Sequence, residues 1–285
     1  MRRTCLISLA LLLALSLPAQ PTASRELDFA RYLMARNELS ESLFVLEKLD
    51  APSPALQDSI RFYKGWILYQ QKQLEPSAAF LLEVTTESPL FERSRFFASY
   101  NLAHIGDRTR ADSILQGLSF APGSLQDALL NFEQGAMALL GRDFEAFDAH
   151  AARFSGAFNP FALQEKSLVE LAEKLKDHPN HSPFLAGALS TLVPGLGKIY
   201  AGKTAEGIAS FLYIGAMALT SYDFYRRLGP QNGFFILSAA TTGIFYAGNI
   251  WGSAVAVNRH KNEYKHEMDQ RILFDMHIPL RNIFQ

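Results

Sequence analysis

Residues 27–49 read LDFARYLMARNELSESLFVLEKL, and this stretch sets the fold class. Apolar side chains recur three and four places apart, at Phe29, Tyr32 and Leu33 and then at Leu43, Leu46 and Leu49. That is the period of two amphipathic helices, with Arg36-Asn37-Glu38 as the polar break between them. The block repeats along the chain. At a spacing of 35 residues Ala30 aligns with Gly65, Tyr100 and Gly135, and three places on stand Leu33, Leu68, Ala103 and Ala138. Each second helix then begins at Leu39, Leu74, Thr109 or Phe144, after polar turns at 36–38, 71–73, 106–108 and 141–143. Small residues on a first helix let its partner approach, and larger apolar residues fill the space behind. One hairpin leaves its apolar face open to water, so three or more must stack to make a continuous core.

This spacing resembles the tetratricopeptide repeat, whose usual length is one residue shorter. The resemblance covers about 27–155, within a helical repeat domain placed at 24–177. It departs from the family at Tyr100, which stands where a small residue is expected, and no repeat carries the full signature. What it implies is a solenoid with a concave surface for a protein or peptide partner.

Ahead of the repeats, Arg2 and Arg3 precede an apolar run from Cys5 to Leu17, closed by Pro18-Ala19-Gln20. A basic start, a short apolar stretch and a small residue are the marks of a cleaved secretory signal, placed here at 1–19. The run is shorter than the ~20 residues of a spanning helix. Cys5, the single cysteine, lies inside it, so the exported chain would have no disulfide, no thiolate metal site and no cysteine nucleophile. The repeat domain would then stand outside the cytoplasm.

Behind the repeats, Asp177-His178-Pro179-Asn180-His181-Ser182-Pro183 is rich in helix breakers, and 178–183 reads as a linker. The composition then changes. No charged residue occurs from His178 to Gly197, from Gly207 to Tyr222 or from Leu228 to Asn258. The spans 207–225 and 233–257 are long enough for transmembrane helices, and 184–197, broken by Pro194-Gly195, reads as a short or re-entrant helix. Charge divides the same way. Residues 24–177 carry 16 Lys/Arg against 22 Asp/Glu, whereas 178–285 carry 9 against 6. An acidic front half offers no footprint for nucleic acid, and a basic, apolar back half suits a bilayer over 184–257. With three crossings, Lys198, Lys203, Arg259, Lys261 and Lys265 would lie inside, and Arg226 and Arg227 outside, in keeping with the positive-inside tendency. Residues 261–285 read as a polar C-terminal tail.

The turn Pro194-Gly195-Leu196-Gly197-Lys198-Ile199-Tyr200-Ala201-Gly202, followed by Gly207 and an apolar span, is similar to the two-transmembrane-helix domain family of small bacterial membrane proteins. Those carry Pro-Gly-x-Gly-x-x-Tyr-x-Gly between a short apolar segment and a longer one. The resemblance covers about 182–260 and implies a membrane hairpin without established chemistry. Further on, Gly243 and Ala247, and Gly248 and Gly252, lie four apart, the spacing that lets membrane helices pack closely.

Chemistry is sparse. Gly197–Thr204 satisfies the phosphate-loop pattern G-x-x-x-x-G-K-[ST], and Asp275 follows an apolar run. That mechanism needs a strand before the loop and a parallel sheet around it, whereas an apolar span follows here. His178 and His181 lie at a ligand-like spacing, but Pro179 and Pro183 deny them a helix and no acidic or thiol partner is near. Asp223 at the edge of a span has Arg227 four residues on. No catalytic pair, metal site or cofactor is expected. The expectation is therefore all-α: a tetratricopeptide-like solenoid followed by a transmembrane helical hairpin, acting as a membrane-anchored interaction scaffold. The alternatives are an accessory subunit of a transport or protein-insertion complex and, more weakly, a nucleotide-binding protein.

Overall fold

The computed structural model describes residues 22–51, 53–156 and 160–284, so the expected signal peptide over 1–19 lies outside the described residues. The described chain forms thirteen α-helices and no strand. It divides into two compact units. The first comprises the described residues through Val169 together with those from Leu273 onward, and the second is Glu170–Ile272.

In the first unit, α1 (Thr22–Ala35) pairs with α2 (Leu39–Lys48), α3 (Pro54–Gln70) with α4 (Leu74–Leu82), α5 (Phe91–His104) with α6 (Arg108–Gln116), and α7 (Leu125–Gly141) with α8 (Phe144–Ala151). Local chemistry sets the starts. Ser53 and Ser124 cap α3 and α7 by accepting from Leu56 and Asp127 N–H, and Pro54 at the first helical position loses no hydrogen bond there. Asp107 and Asp143 cap α6 and α8 in the same way.

The turns carry the repeat more faithfully than the side chains do. Asn37, Lys72, Gly106 and Arg142 all adopt positive φ (63°, 64°, 91° and 63°). The residue after each donates its N–H five places back, Glu38 to Leu33, Gln73 to Leu68, Asp107 to Leu102 and Asp143 to Ala138, each at 2.9 Å. This is the left-handed closure that satisfies the last carbonyls of a helix. The turn positions are 35, 34 and 36 residues apart, so the third repeat is one residue out of the uniform register. Its counterparts of Ala30 and Leu33 are Ser99 and Leu102, and its second helix starts at Arg108 rather than Thr109. The anomaly at Tyr100 disappears, because a small residue, Ser99, occupies the close-approach position.

That position is bonded as well as packed. Ser42 Oγ donates to Ala30 O at 2.8 Å and Ser77 Oγ to Gly65 O at 2.6 Å, in both cases from second helix to first. In the third hairpin the donor changes sides, Ser99 Oγ bonding Ala111 O at 2.9 Å. In the fourth, Asn131 Nδ2 donates to His150 O at 3.0 Å. Phe62, Phe96 and Phe132, 34 and 36 residues apart in step with the turns, are buried.

The first unit also contains a segment expected as a polar tail. Residues 273–284 are the last turns of α13 (Gly233–Phe284), and Leu273, Met276 and Leu280 on them are buried.

Helix α9 (Ala162–Lys176) runs from the first unit into the second, which also holds α10 (Pro183–Leu192), α11 (Leu196–Tyr200), α12 (Thr204–Leu228) and most of α13. Ser182 caps α10 and Pro183 opens it. At 10 residues α10 is about 15 Å long, half of a bilayer core, so it does not cross one as a helix. Among the described residues α13 is the one helix long and apolar enough to cross a membrane, its apolar window 6% buried. The expected span 207–225 falls within α12, whose ends carry Glu206, Asp223, Arg226 and Arg227.

Candidate functional site

The residues singled out in the glycine turn come together in the second unit. Gly195 has φ +85°, and a Cβ there would lie 2.0 Å from the Gly207 carbonyl oxygen. At Gly197 it would lie 1.9 Å from Ala186 O, and at Gly207 2.5 Å from Ile199 Cγ1. Three backbones therefore touch where any side chain would hold them apart. Tyr200 closes the turn: its hydroxyl accepts from Ser182 N at 3.1 Å and its ring meets His181 edge-on at 4.6 Å. Gly202, at φ +82°, lies against the imidazole of His260. Pro194 helps line a cavity of about 510 Å³ between α12 and α13 that contains Phe211, Ser221, Thr242, Gly243 and Tyr246.

A hydroxyl relay ties this turn to α13. Gly197 N donates to Ser190 Oγ at 3.0 Å, Ser190 and Ser253 hydroxyls meet at 2.7 Å, and Ser253 donates to Asn249 O at 2.8 Å. Since Ser190 accepts from Gly197 and Ser253 donates to Asn249, the shared proton runs from Ser190 to Ser253. Ser221 and Thr242 join α12 to α13 at 3.1 Å.

The phosphate-loop pattern is built for another purpose. The Gly197 N–H is taken by Ser190 on α10, and those of Lys198, Ile199, Ala201, Gly202 and Lys203 are bonded within the turn. Lys203 Nζ is held by Glu263 at 2.7 Å, and that hydrogen bond draws the Glu263 carboxyl below its usual range. Lys198 Nζ donates to Ser210 Oγ at 2.8 Å. A nucleotide would find neither the amide cradle nor the flanking strand that the chemistry requires.

His178 and His181 pack on different aromatic partners. His178 stacks on Tyr264 at 3.7 Å while His181 packs on Tyr200. Burial, with His260, His181 and Lys261 nearby, lowers the His178 imidazole below its ordinary value. No group of three metal-ligating side chains occurs among the described residues. Asp223 pairs with Arg227 at 2.8 Å, both exposed.

Of the expected helix-packing positions, Gly252 faces the Lys198 side chain at 3.9 Å. Ala247 lines an apolar groove of about 840 Å³ with Gly187, Ala188, Ile250 and Trp251. A Cβ on Gly243 or Gly248 would meet no atom within 4 Å among the described residues, so neither brings two of the described helices together.

In the first unit the notable surface is one that sequence reasoning missed. First helices of the second and third hairpins present Tyr69, Phe96, Phe97 and Tyr100 to residues 273–284. Tyr69 hydroxyl and His277 Nε2 are hydrogen-bonded, and His277 stacks on Tyr100 at 5.1 Å between centroids. Phe284 packs on Phe96 and Phe97 at 5.7 and 6.5 Å, and Ser167 Oγ donates to Asp275 at 2.6 Å. Burial dominates the electrostatics. It lowers the His277 imidazole to about 4, with Arg281 adding to the effect, and raises Tyr69 to about 12. Asp275 is also raised by burial. Glu133, buried and with one carboxylate oxygen unbonded, is pushed well above the usual carboxylate range by that burial. The signal was present as Met268, Ile272, Met276, Leu280 and Phe284, each four residues from the last.

No protein-family model matches the chain, and no curated protein and no solved structure is significantly similar to it.

Proposed function

We propose that the chain is a membrane-anchored interaction scaffold without catalytic activity, its tetratricopeptide-like hairpins outside the cytoplasm holding a protein or peptide partner. One observation carries the anchoring half. The second unit is apolar on its outside, where Phe184, Leu192, Leu219, Ile244 and Trp251 are 70–86% exposed, while hydroxyl groups bond to one another in its interior. In water so much exposed apolar surface is a liability; in lipid it is the ordinary solution. The 34–36-residue recurrence of one turn geometry supports the solenoid half. Together α12 and α13 would form the membrane hairpin, with α10 and its glycine turn re-entering beside them.

The second reading, an accessory subunit of a transport or insertion complex, is favoured by Gly248, whose face meets nothing within 4 Å among the described residues and leaves room for another helix.

Protease accessibility in spheroplasts, with tags at Thr22 and after Gln285, tests the export reading. Digestion of the hairpins is the expected result. Hairpins protected until the membrane is opened would place them in the cytoplasm and remove the reading.

A further inference from the structure

We infer that residues 273–284 are a tethered occupant of the face through which the hairpins bind partners, and that the partner is an amphipathic helix which displaces them. This rests on the docking role proposed above and names the class of ligand. The resident segment itself defines what the face takes. Met276 and Leu280 are fully buried, and Phe284, a further turn on, lies against Phe96 and Phe97. These anchors stand at i, i+4 and i+8 on one side of a helix, with Asn282 exposed.

Two features fit an exchangeable occupant better than a permanent part of the core. Pro279 sits inside the docked helix, where it removes an N–H and crowds the carbonyl of Asp275, so these turns are intrinsically poor helix and hold their form through contact with the hairpins. The bed also carries polar groups among its aromatic rings, where Tyr69 and Tyr100 meet His277. The other titratable and charged groups facing His277 are His104, Lys72 and Arg281. A tethered segment acts at an effective concentration in the millimolar range, so it excludes weak competitors and yields to a partner that fills the same pockets better.

The test uses the full chain in detergent and a fluorescent peptide of residues 266–285. It should bind the Met276→Glu/Leu280→Glu variant about tenfold or more tightly than the unaltered chain, because the tethered competitor is gone. A peptide with serine at 276, 280 and 284 should bind neither. Equal affinities for the unaltered and released chains would overturn the inference. Amide exchange on the unaltered chain guards against misfolding of the variant. Saturating peptide should speed exchange over 276–284 while the hairpins stay protected; unchanged exchange there would show a permanent core element. If the peptide fails while a protein partner still co-purifies with the chain, the inference is lost and the scaffold stands; if no partner co-purifies, the scaffold reading itself fails.

Discussion

Both units use small residues to bring helices together, but against different kinds of neighbour. In the hairpins, a Cβ on Gly65 would meet Leu81 Cγ at 2.7 Å, well before the nearest carbonyl, Ser77 O at 3.1 Å, and one on Gly135 would meet His150 Cβ at 3.1 Å. In the glycine turn the obstacles at Gly195 and Gly197 are carbonyl oxygens, at 2.0 and 1.9 Å. A leucine tip can change rotamer, whereas a carbonyl in a helix moves only if the helix moves. Solenoid hairpins can therefore drift in sequence while keeping their packing, and the turn cannot.

The two tryptophans allow this contrast to be measured, since Trp66 lies on α3 in one unit and Trp251 on α13 in the other. The largest effect is expected for Gly197→Ala, beyond the roughly 1–3 kcal/mol of ordinary overpacking, with early loss of the Trp251 transition. An unaltered Trp251 transition would mean that α10 can retreat from the turn. Gly65→Ala should cost about 1–3 kcal/mol, seen at Trp66 and not at Trp251, because Leu81 can move aside. If it matches Gly197→Ala, the proposed difference between side-chain and backbone obstacles is wrong.

A pH series sharpens the first unit further. Away from its bed, His277 would take up a proton near its ordinary value of about 6.5; docked, it holds off until about 4. The docked form therefore binds fewer protons between those values, and its stability falls as pH drops from 6.5 towards 4. Asp275 and Glu133, both raised, act in the opposite sense at the acidic end, so the comparison must be made against His277→Gln. Stability of the parent relative to that variant should decline on acidification; parallel curves would show that the imidazole is not held neutral by docking. The smallest effect is expected for Gly248→Ala. With nothing within 4 Å among the described residues, it should be neutral or stabilising by about 0.5–1 kcal/mol in the isolated chain. Marked destabilisation of the monomer would reveal a neighbour on that face.

Much of this was legible in the sequence. The three-and-four spacing from Phe29 to Leu49 gave helices, the 35-residue recurrence gave hairpins, and the order of proline, glycines and tyrosine from Pro194 to Gly202 marked the turn. What escaped was the one-residue slip in the third repeat. Three of the four left-handed turn residues are Asn37, Lys72 and Arg142 rather than glycine, so the position carried no signature, and the uniform spacing put Tyr100 where Ser99 belongs. The C-terminal segment escaped because Glu267, Asp269 and Arg271 dilute its mean hydropathy while leaving the every-fourth-residue stripe intact.

Sequence alone determined the helical class, the division of apolar residues between amphipathic stripes and uncharged runs, and the positions where glycine is needed. These are local properties, set by side-chain period and by the conformations each residue tolerates. Only the tertiary structure decided which carbonyl each glycine faces, which hydroxyl bonds across each hairpin, and that residues 273–284 lie against Tyr69, Phe96, Phe97 and Tyr100. Those partners are between about 170 and 210 residues away in the chain, and no local period encodes which of several apolar faces a stripe will find.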